Sequence, residues 1–124
     1  MPLINPATTH TKGKVTETFA AHYLMEKGLQ LVTTNFHSRG GEIDLIMQDK
    51  DVLTFVEVKY RKNDTFGGPL SAISISKQKK IKQCAAFYMQ QAQLNEYNTL
   101  CRFDVVALQG NINQPHVTWL KNAF

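Results

Sequence analysis

The sequence predicts one α/β domain with a mixed sheet over residues 13–124, preceded by a flexible N-terminal arm, residues 1–12. Two segments repeat apolar residues at spacings of three and four, which is typical of amphipathic helices. Strand-like runs lie between and after these segments, so the order is helix, three strands, helix, then further strands. Apolar residues make up 43% of the 124-residue chain. That content is enough for the core of one domain of common size.

The first helix is predicted over residues 13–27, and Gly28 directly after it is a plausible C-terminal cap. Its apolar stripe consists of Val15, Phe19, Ala20, Tyr23 and Leu24. A strand is predicted over 29–36 because Leu-Val-Thr-Thr is rich in β-branched residues. Two stronger strands follow over 42–47 and 52–60. The polar tetrad 48–51 between them predicts an antiparallel hairpin.

The second half begins with a polar loop over 61–72 that contains Gly67-Gly68-Pro69. A second helix is predicted over 76–93, with Ser76 as its N-cap. Its buried stripe is predicted to be Ile81, Cys84, Ala85, Tyr88, Met89 and Ala92. Strands over 101–108 and 116–120 complete a sheet of four or five strands.

Composition limits the classes of partner. Lys and Arg total 14 against 10 Asp and Glu, a net charge of +4. This mild excess is compatible with a polyanionic partner but does not require one. No apolar run approaches the roughly 20 residues needed to cross a bilayer, and no signal peptide is visible, so we expect a cytoplasmic protein without a membrane partner. Cys84 and Cys101 are too few for a zinc site, and two free thiols are the expectation.

The most informative residues are two carboxylates inside apolar strands. Asp44 lies within Ile43-Asp44-Leu45-Ile46, and Glu57 within Phe55-Val56-Glu57-Val58. In an antiparallel hairpin, opposed residues have a constant index sum, and the Asp44–Glu57 sum equals that of Lys50 and Asp51 at the turn. Directly opposed side chains have Cβ atoms roughly 4.5–5.5 Å apart.

Two carboxylates at that distance repel each other unless a cation lies between them. A hard divalent ion such as Mg²⁺ or Mn²⁺ suits such oxygen ligands. Because strand side chains alternate, Asp44 should share the face of Ile46, and Lys59 that of Glu57. Lys59 could hold or deprotonate an attacking water. The alternative is a structural network of ion pairs without a metal.

The spacing Asp44…Glu57-Val58-Lys59 resembles the Asp…Glu-x-Lys signature of the restriction-endonuclease-like superfamily. More closely, the chain resembles the YraN-type family of small bacterial proteins, which are similar in fold to archaeal Holliday-junction resolvases. The ordered elements that carry this resemblance are Gly13…Glu17…Ala20, Asn35…Arg39…Gly41-Glu42-Ile43-Asp44-Leu45-Ile46, Phe55-Val56-Glu57-Val58-Lys59…Arg61, Phe66-Gly67, Lys77 and Arg102-Phe103-Asp104.

The resemblance implies a restriction-endonuclease-like core and a metal-dependent endonuclease that acts on nucleic acid, with branched DNA as one candidate substrate. It implies Glu17, Asp44, Glu57 and Lys59 as catalytic residues. It implies Mg²⁺ or Mn²⁺ held by Asp44, Glu57 and the Val58 carbonyl, and homodimers, since resolvases of this fold are commonly dimers.

Basic residues flank the hairpin in sequence, and their functional interpretation is contact with phosphates. The alternative for each is an ordinary solvated face. The candidates are Arg39, Arg61, Lys62, Lys77 and Lys80. Two other functions stay open: a nucleic-acid-binding module that keeps the nuclease fold without catalysis, and a structural interaction protein.

Overall fold

The computed structural model describes residues 9–62 and 73–124, with side chains from residue 13 onwards. It contains two helices, α1 (Thr9–Glu26) and α2 (Ile75–Gln91). The strands are β1 (Gln30–Ser38), β2 (Gly41–Asp49), β3 (Val52–Arg61), β4 (Cys101–Gln109) and β5 (His116–Leu120). The predicted α/β class with a mixed sheet flanked by helices is confirmed.

Two predicted segments extend beyond this description. Residues 1–8 of the predicted arm lie outside the described residues, whereas residues 9–12 belong to α1, which begins four positions earlier than expected. Most of the predicted loop 61–72, including Phe66-Gly67, also lies outside them, because the description stops at Lys62 and resumes at Ile73.

The five strands form one sheet in the order β1-β2-β3-β4-β5. All neighbouring pairs are antiparallel except β3 and β4, which are parallel and joined through α2. Because strand side chains alternate, the sheet supports two separate clusters. Ala20 and Leu24 of α1 pack on Leu45, Met47 and Val56. On the other face, α2 packs on Ile43, Ile46, Leu53 and Phe55.

The β2–β3 hairpin has the register that the index arithmetic predicts. Its pairs run from Asp49–Val52 to Leu45–Val56 without a shift. The turn is shorter than the predicted tetrad, since only Lys50 and Asp51 lie outside the strands. Lys50 begins the turn with a φ of 56°. Asp49 stays in the strand, where its carboxylate accepts a 2.8 Å hydrogen bond from Arg102.

Helix α2 is capped by Ser74, so the prediction of Ser76 as the cap is wrong. Ser74 has an extended backbone, and its Oγ accepts the Lys77 N–H at 3.1 Å. Four of the six stripe positions are buried, and they are Ile81, Cys84, Ala85 and Met89. Tyr88 is half-buried, and Ala92 is exposed because the helix ends at Gln91.

The start of β2 lies close against α2. A Cβ added to Gly41 would stand 3.2 Å from the Lys80 carbonyl oxygen, whereas one added to the adjacent Gly40 would meet nothing within 4 Å. A helical carbonyl cannot move without disturbing its own hydrogen bond. We therefore expect Gly41→Ala to lower the free energy of unfolding by about 1–2 kcal/mol, measured by urea denaturation. Gly40→Ala is the matched control, and an equal loss in both variants would contradict the contact.

A buried network connects the sheet to the C-terminus. Asp104 is fully buried and accepts hydrogen bonds from Arg102, the Trp119 indole and the Asn122 backbone N–H. Arg102 and Asp104 form an ion pair inside this network. With four donated bonds, counting two from Arg102 Nε, the carboxylate is well satisfied in the core.

Two expectations from composition are also tested. Cys84 and Cys101 are both free thiols, the first buried and the second exposed. Among the described residues, neither helix has the length and apolar character required to span a bilayer.

Candidate functional site

The two strand carboxylates lie where the β2–β3 ladder ends. Leu45–Val56 is its last pair, and Asp44 and Glu57 are the next positions on the two strands. Beyond this pair, β2 is bonded to β3 through the Asp44 side chain, whose Oδ2 accepts the Val58 N–H at 2.8 Å. Asp44 is 8% exposed and Glu57 is 7% exposed. Both carboxyl groups are therefore held in the protein interior.

The backbone beside Asp44 is irregular. Asn35 on β1 has a φ of 51°, in the left-handed region that Asn tolerates better than most residues. Thr34–Leu45 and Phe36–Ile43 are ladder pairs, but no ladder pair joins Asn35 to Asp44. Ile43 and Ile46 pack in the same cluster, which strict alternation does not permit. The predicted alternation is thus wrong between these two residues, because the ladders on both sides of Asp44 are interrupted.

Three carboxyl side chains are linked at this position. The carboxyl groups of Asp44 and Glu57 are close enough that each shifts the pKa of the other. Glu17 of α1 interacts with both Asn35 and Asp44, and each of these interactions lowers its pKa. Two carboxyl groups this close favour a state in which one of them carries a proton. The structure therefore brings together Glu17, Asp44 and Glu57, the three acidic residues that the family resemblance implies for the site.

The carboxyl pKa values are raised, chiefly because the groups are buried. Burial first, and then the adjacent Asp44 carboxyl group, together raise the pKa of Glu57 to about 8. Burial also raises the pKa values of Asp44 and Glu17, against the lowering effect of their hydrogen bonds. At neutral pH the Asp44–Glu57 pair consequently retains a proton, which indicates a local deficit of positive charge.

Two lysines approach the carboxylates. Lys77 of α2 places its Nζ 3.2 Å from Glu57 Oε2. This ion pair lowers the pKa of Glu57, but by less than burial and the neighbouring Asp44 raise it. Lys59 is half-buried on β3, and its pKa is lowered first by burial and then by the charge of Lys77. A lysine with a lowered pKa in a carboxylate-lined site is a candidate for proton transfer.

The remaining basic candidates are all exposed to solvent. Arg39 is exposed in the β1–β2 turn, while Arg61 and Lys62 are exposed at the end of β3. Lys80 is exposed on α2. A groove of about 370 Å³, which we call the α2 groove, is lined by Gly40, Gly41, Glu42, Ser74, Ser76, Lys77, Lys80 and Ile81.

A second groove of about 320 Å³ lies on the α1 side and is called the α1 groove. It is lined by Gly13, Lys14, Glu17, Asn35, His37 and Glu42. Glu42 belongs to both grooves and pairs with His37 at 3.3 Å. Glu42, near the start of β2, is therefore common to the linings of both grooves, and Glu17 lines the α1 groove.

The donor set fits a hard divalent cation in its chemistry. Two buried carboxyl groups that share a proton offer oxygen ligands and excess negative charge, which Mg²⁺ and Mn²⁺ favour. Within the described ranges 13–62 and 73–124, no group of three or more His, Cys, Asp or Glu side chains is arranged to hold a metal ion. A set of two carboxylates completed by the Val58 carbonyl does not require a third such side chain.

Comparison with known proteins identifies the family. The model of the "Uncharacterised protein family UPF0102" matches residues 16–108, three quarters of the chain. The chain belongs to this family. A UPF0102 protein of Colwellia psychrerythraea is 64% identical over 113 residues, 91% of this chain and 88% of the relative.

More distant relatives cover the UPF0102 chain equally well. A UPF0102 protein of Psychromonas ingrahamii is 45% identical over 116 residues, 94% of this chain and 91% of the relative. A UPF0102 protein of Nitrosococcus oceani is 40% identical over 121 residues, which are 98% of this chain and 97% of the relative. The predicted membership of an uncharacterised YraN-type family is confirmed, and these relatives carry no name that states an activity.

Sequence reasoning missed two features of the UPF0102 site. Asn35 was part of the family pattern, but nothing indicated that it would contact Glu17. Its tolerance of left-handed backbone inside a strand was the available signal. Lys77 was expected only as a phosphate contact, whereas it pairs with Glu57. No sequence signal could reveal that pair, because the two residues are on elements separated by the 63–72 segment.

Proposed function

We propose that this UPF0102 protein is a metal-dependent nucleic-acid phosphodiesterase, an endonuclease of the restriction-endonuclease-like type. The observation that carries the proposal is the buried, adjacent pair of Asp44 and Glu57 carboxyl groups at the open end of a hairpin, with Lys59 two residues further along β3. Burying two adjacent carboxyl groups is costly. A structural role alone does not require that cost, whereas binding a cation does.

Asp44, Glu57 and the Val58 carbonyl would hold Mg²⁺ or Mn²⁺ in this proposal. A divalent ion of this kind, when bound, polarises a phosphodiester and lowers the pKa of a coordinated water. Asp44 is already oriented for such a role, since the Val58 N–H fixes its Oδ2 at 2.8 Å and leaves the other oxygen to its neighbours. The ion-binding geometry would therefore be built by the backbone of β3 rather than by flexible side chains.

Lys59 and Glu17 are proposed to support the reaction. The lowered pKa of Lys59 increases the share of neutral amine, which can accept a proton from an attacking water. In its charged form the same group would offset charge on the scissile phosphate. Glu17 interacts with Asp44 and would orient that carboxyl group from the α1 side.

Nucleic acid, with DNA as the principal candidate, is the proposed substrate. Arg39, Arg61, Lys62 and Lys80 are exposed and would contact phosphates without reading bases. The net charge of +4 has the sign that such a partner requires. A cytoplasmic location, homodimerisation and a preference for branched DNA are further parts of this proposal.

The test is a cleavage assay on branched, single-stranded and duplex DNA and on RNA of equal length. Purified protein is incubated with each substrate in Mg²⁺, in Mn²⁺ and in excess chelator. The proposal expects strand scission with either ion and none in chelator. Scission that persists in chelator, or no scission of any substrate with either ion, would overturn the proposed activity.

A second candidate function is a nucleic-acid-binding module without catalysis. The Lys77–Glu57 ion pair favours it, because an internal ammonium already offsets part of the carboxylate charge. Such a module would bind nucleic acid in chelator with an affinity that falls as salt rises. Gel-shift titrations in chelator, made alongside the cleavage assay, distinguish the two functions.

A further inference from the structure

We infer that Lys77 is an internal counter-ion of the carboxylate pair, which a divalent cation must displace before it can occupy the site. This inference rests on the proposed function, because it concerns the same Asp44–Glu57 site. It adds a regulatory role to Lys77 beyond the phosphate contact expected from sequence.

The first observation is the direct contact. Lys77 Nζ lies 3.2 Å from Glu57 Oε2. Of the Asp44–Glu57 pair, Glu57 is the carboxyl group with the larger increase in pKa. A cation bound by Glu57 needs the same oxygen lone pairs that now accept from the ammonium. The two positive groups would also repel each other at such a short distance. Occupation by one therefore disfavours occupation by the other.

The second observation is that Lys77 can leave. The Glu57 side chain is 7% exposed, but that of Lys77 is 49% exposed, so one partner is fixed in the interior and the other reaches solvent. The Lys77 backbone is anchored independently, because its N–H donates to Ser74 Oγ at 3.1 Å. Rotation of the side chain thus releases Glu57 without disturbing the start of α2.

The third observation is the position to which the ammonium would move. Lys77 lines the α2 groove together with Lys80. An ammonium that leaves Glu57 would enter this groove, where it adds to the positive charge available for a phosphate. The exchange would link cation binding to nucleic-acid contact, since the same lysine serves the carboxylates in one state and the groove in the other.

Isothermal titration of Mg²⁺ into wild-type protein and Lys77→Met tests the inference. Titration at about pH 9 minimises proton competition for Glu57. Removal of the competing ammonium should tighten Mg²⁺ binding about 5- to 20-fold. Lys77→Arg keeps the charge, so its Mg²⁺ affinity should equal that of the wild-type protein or be weaker. The Ser74 cap remains in both variants, so the fold is retained.

Lys79→Met is the matched control. It removes the same charge from the same helix. Lys79 is two residues after Lys77, and each residue of a helix adds a rotation of about 100°, so the two side chains project from nearly opposite sides. Lys79 is exposed, and it forms no ion pair within the described part of the chain. Its Mg²⁺ affinity should change less than about twofold from wild type.

The outcomes separate this inference from the proposed function. If Lys77→Met binds Mg²⁺ no more tightly than the wild-type protein does, the counter-ion role is overturned and the metal site is retained. An equal gain in Lys77→Met and Lys79→Met would also overturn it, since the effect would then be one of net charge. Absence of Mg²⁺ binding in wild type and in both variants would overturn the proposed function itself.

Discussion

Asp44→Asn is expected to reduce Mg²⁺-dependent cleavage at least about 100-fold. The amide is nearly isosteric with the carboxylate, and its oxygen can still accept the Val58 N–H that Asp44 accepts at 2.8 Å. The variant therefore keeps the hydrogen bond that ends the hairpin ladder, while it loses the negative charge that would bind a cation. Initial rates of strand scission measure the effect, and thermal unfolding shows whether the fold is intact.

Asp51→Asn is the matched control for this variant. Asp51 belongs to the same hairpin but lies exposed in its two-residue turn, at the opposite end from Glu57. Its replacement should change the cleavage rate less than about twofold. The proposed role of Asp44 is contradicted if both variants lose activity equally, or if Asp44→Asn cleaves at the wild-type rate while folded.

Glu57→Gln is expected to stabilise the metal-free protein at alkaline pH while it removes cation binding. Burial raises the pKa of Glu57 from its ordinary value of 4.5 to about 8. Between these values the folded state holds a proton that the unfolded state has released. The free energy of unfolding of the wild type therefore falls as pH rises through this window and levels off above it. Glutamine is neutral throughout, so it does not incur this loss.

The expected gain for Glu57→Gln is roughly 2–4 kcal/mol at about pH 8.5, and near zero at about pH 4.5. Urea denaturation at both pH values measures the difference, with chelator present. Glu26→Gln, at the exposed end of α1, is the control and should show no such dependence on pH. A Glu57→Gln gain that is equal at both pH values would show that the buried charge is not its source.

The part of the site that depends on hairpin geometry could be predicted from the sequence. A short polar turn fixes the register of a hairpin, so index arithmetic brought Asp44 and Glu57 together, although the ladder stops one pair before them. The pairs from Asp49–Val52 to Leu45–Val56 have this register. The overall order of helices and strands followed in the same way, from two periodicities that are local properties of the chain.

The rest of the site depends on contacts that no local pattern records. The interrupted ladder beside Asp44 arises from the left-handed backbone of Asn35 on a different strand. The Lys77–Glu57 pair requires knowledge of how α2 lies across the sheet. The cap of α2 was misplaced for a simpler reason: Ser74 and Ser76 are both good caps, and only the backbone geometry distinguishes them.

The central claim is that Asp44 and Glu57 hold a divalent cation, and binding of Mn²⁺ followed by electron paramagnetic resonance tests it most directly. The signal of free Mn²⁺ decreases as the ion binds, so the measurement requires no substrate and no turnover. We predict saturable binding to the wild-type protein, competition by Mg²⁺, and loss of binding in both Asp44→Asn and Glu57→Gln. A wild-type protein that leaves the free Mn²⁺ signal unchanged, or binding that survives both substitutions, would contradict the claim.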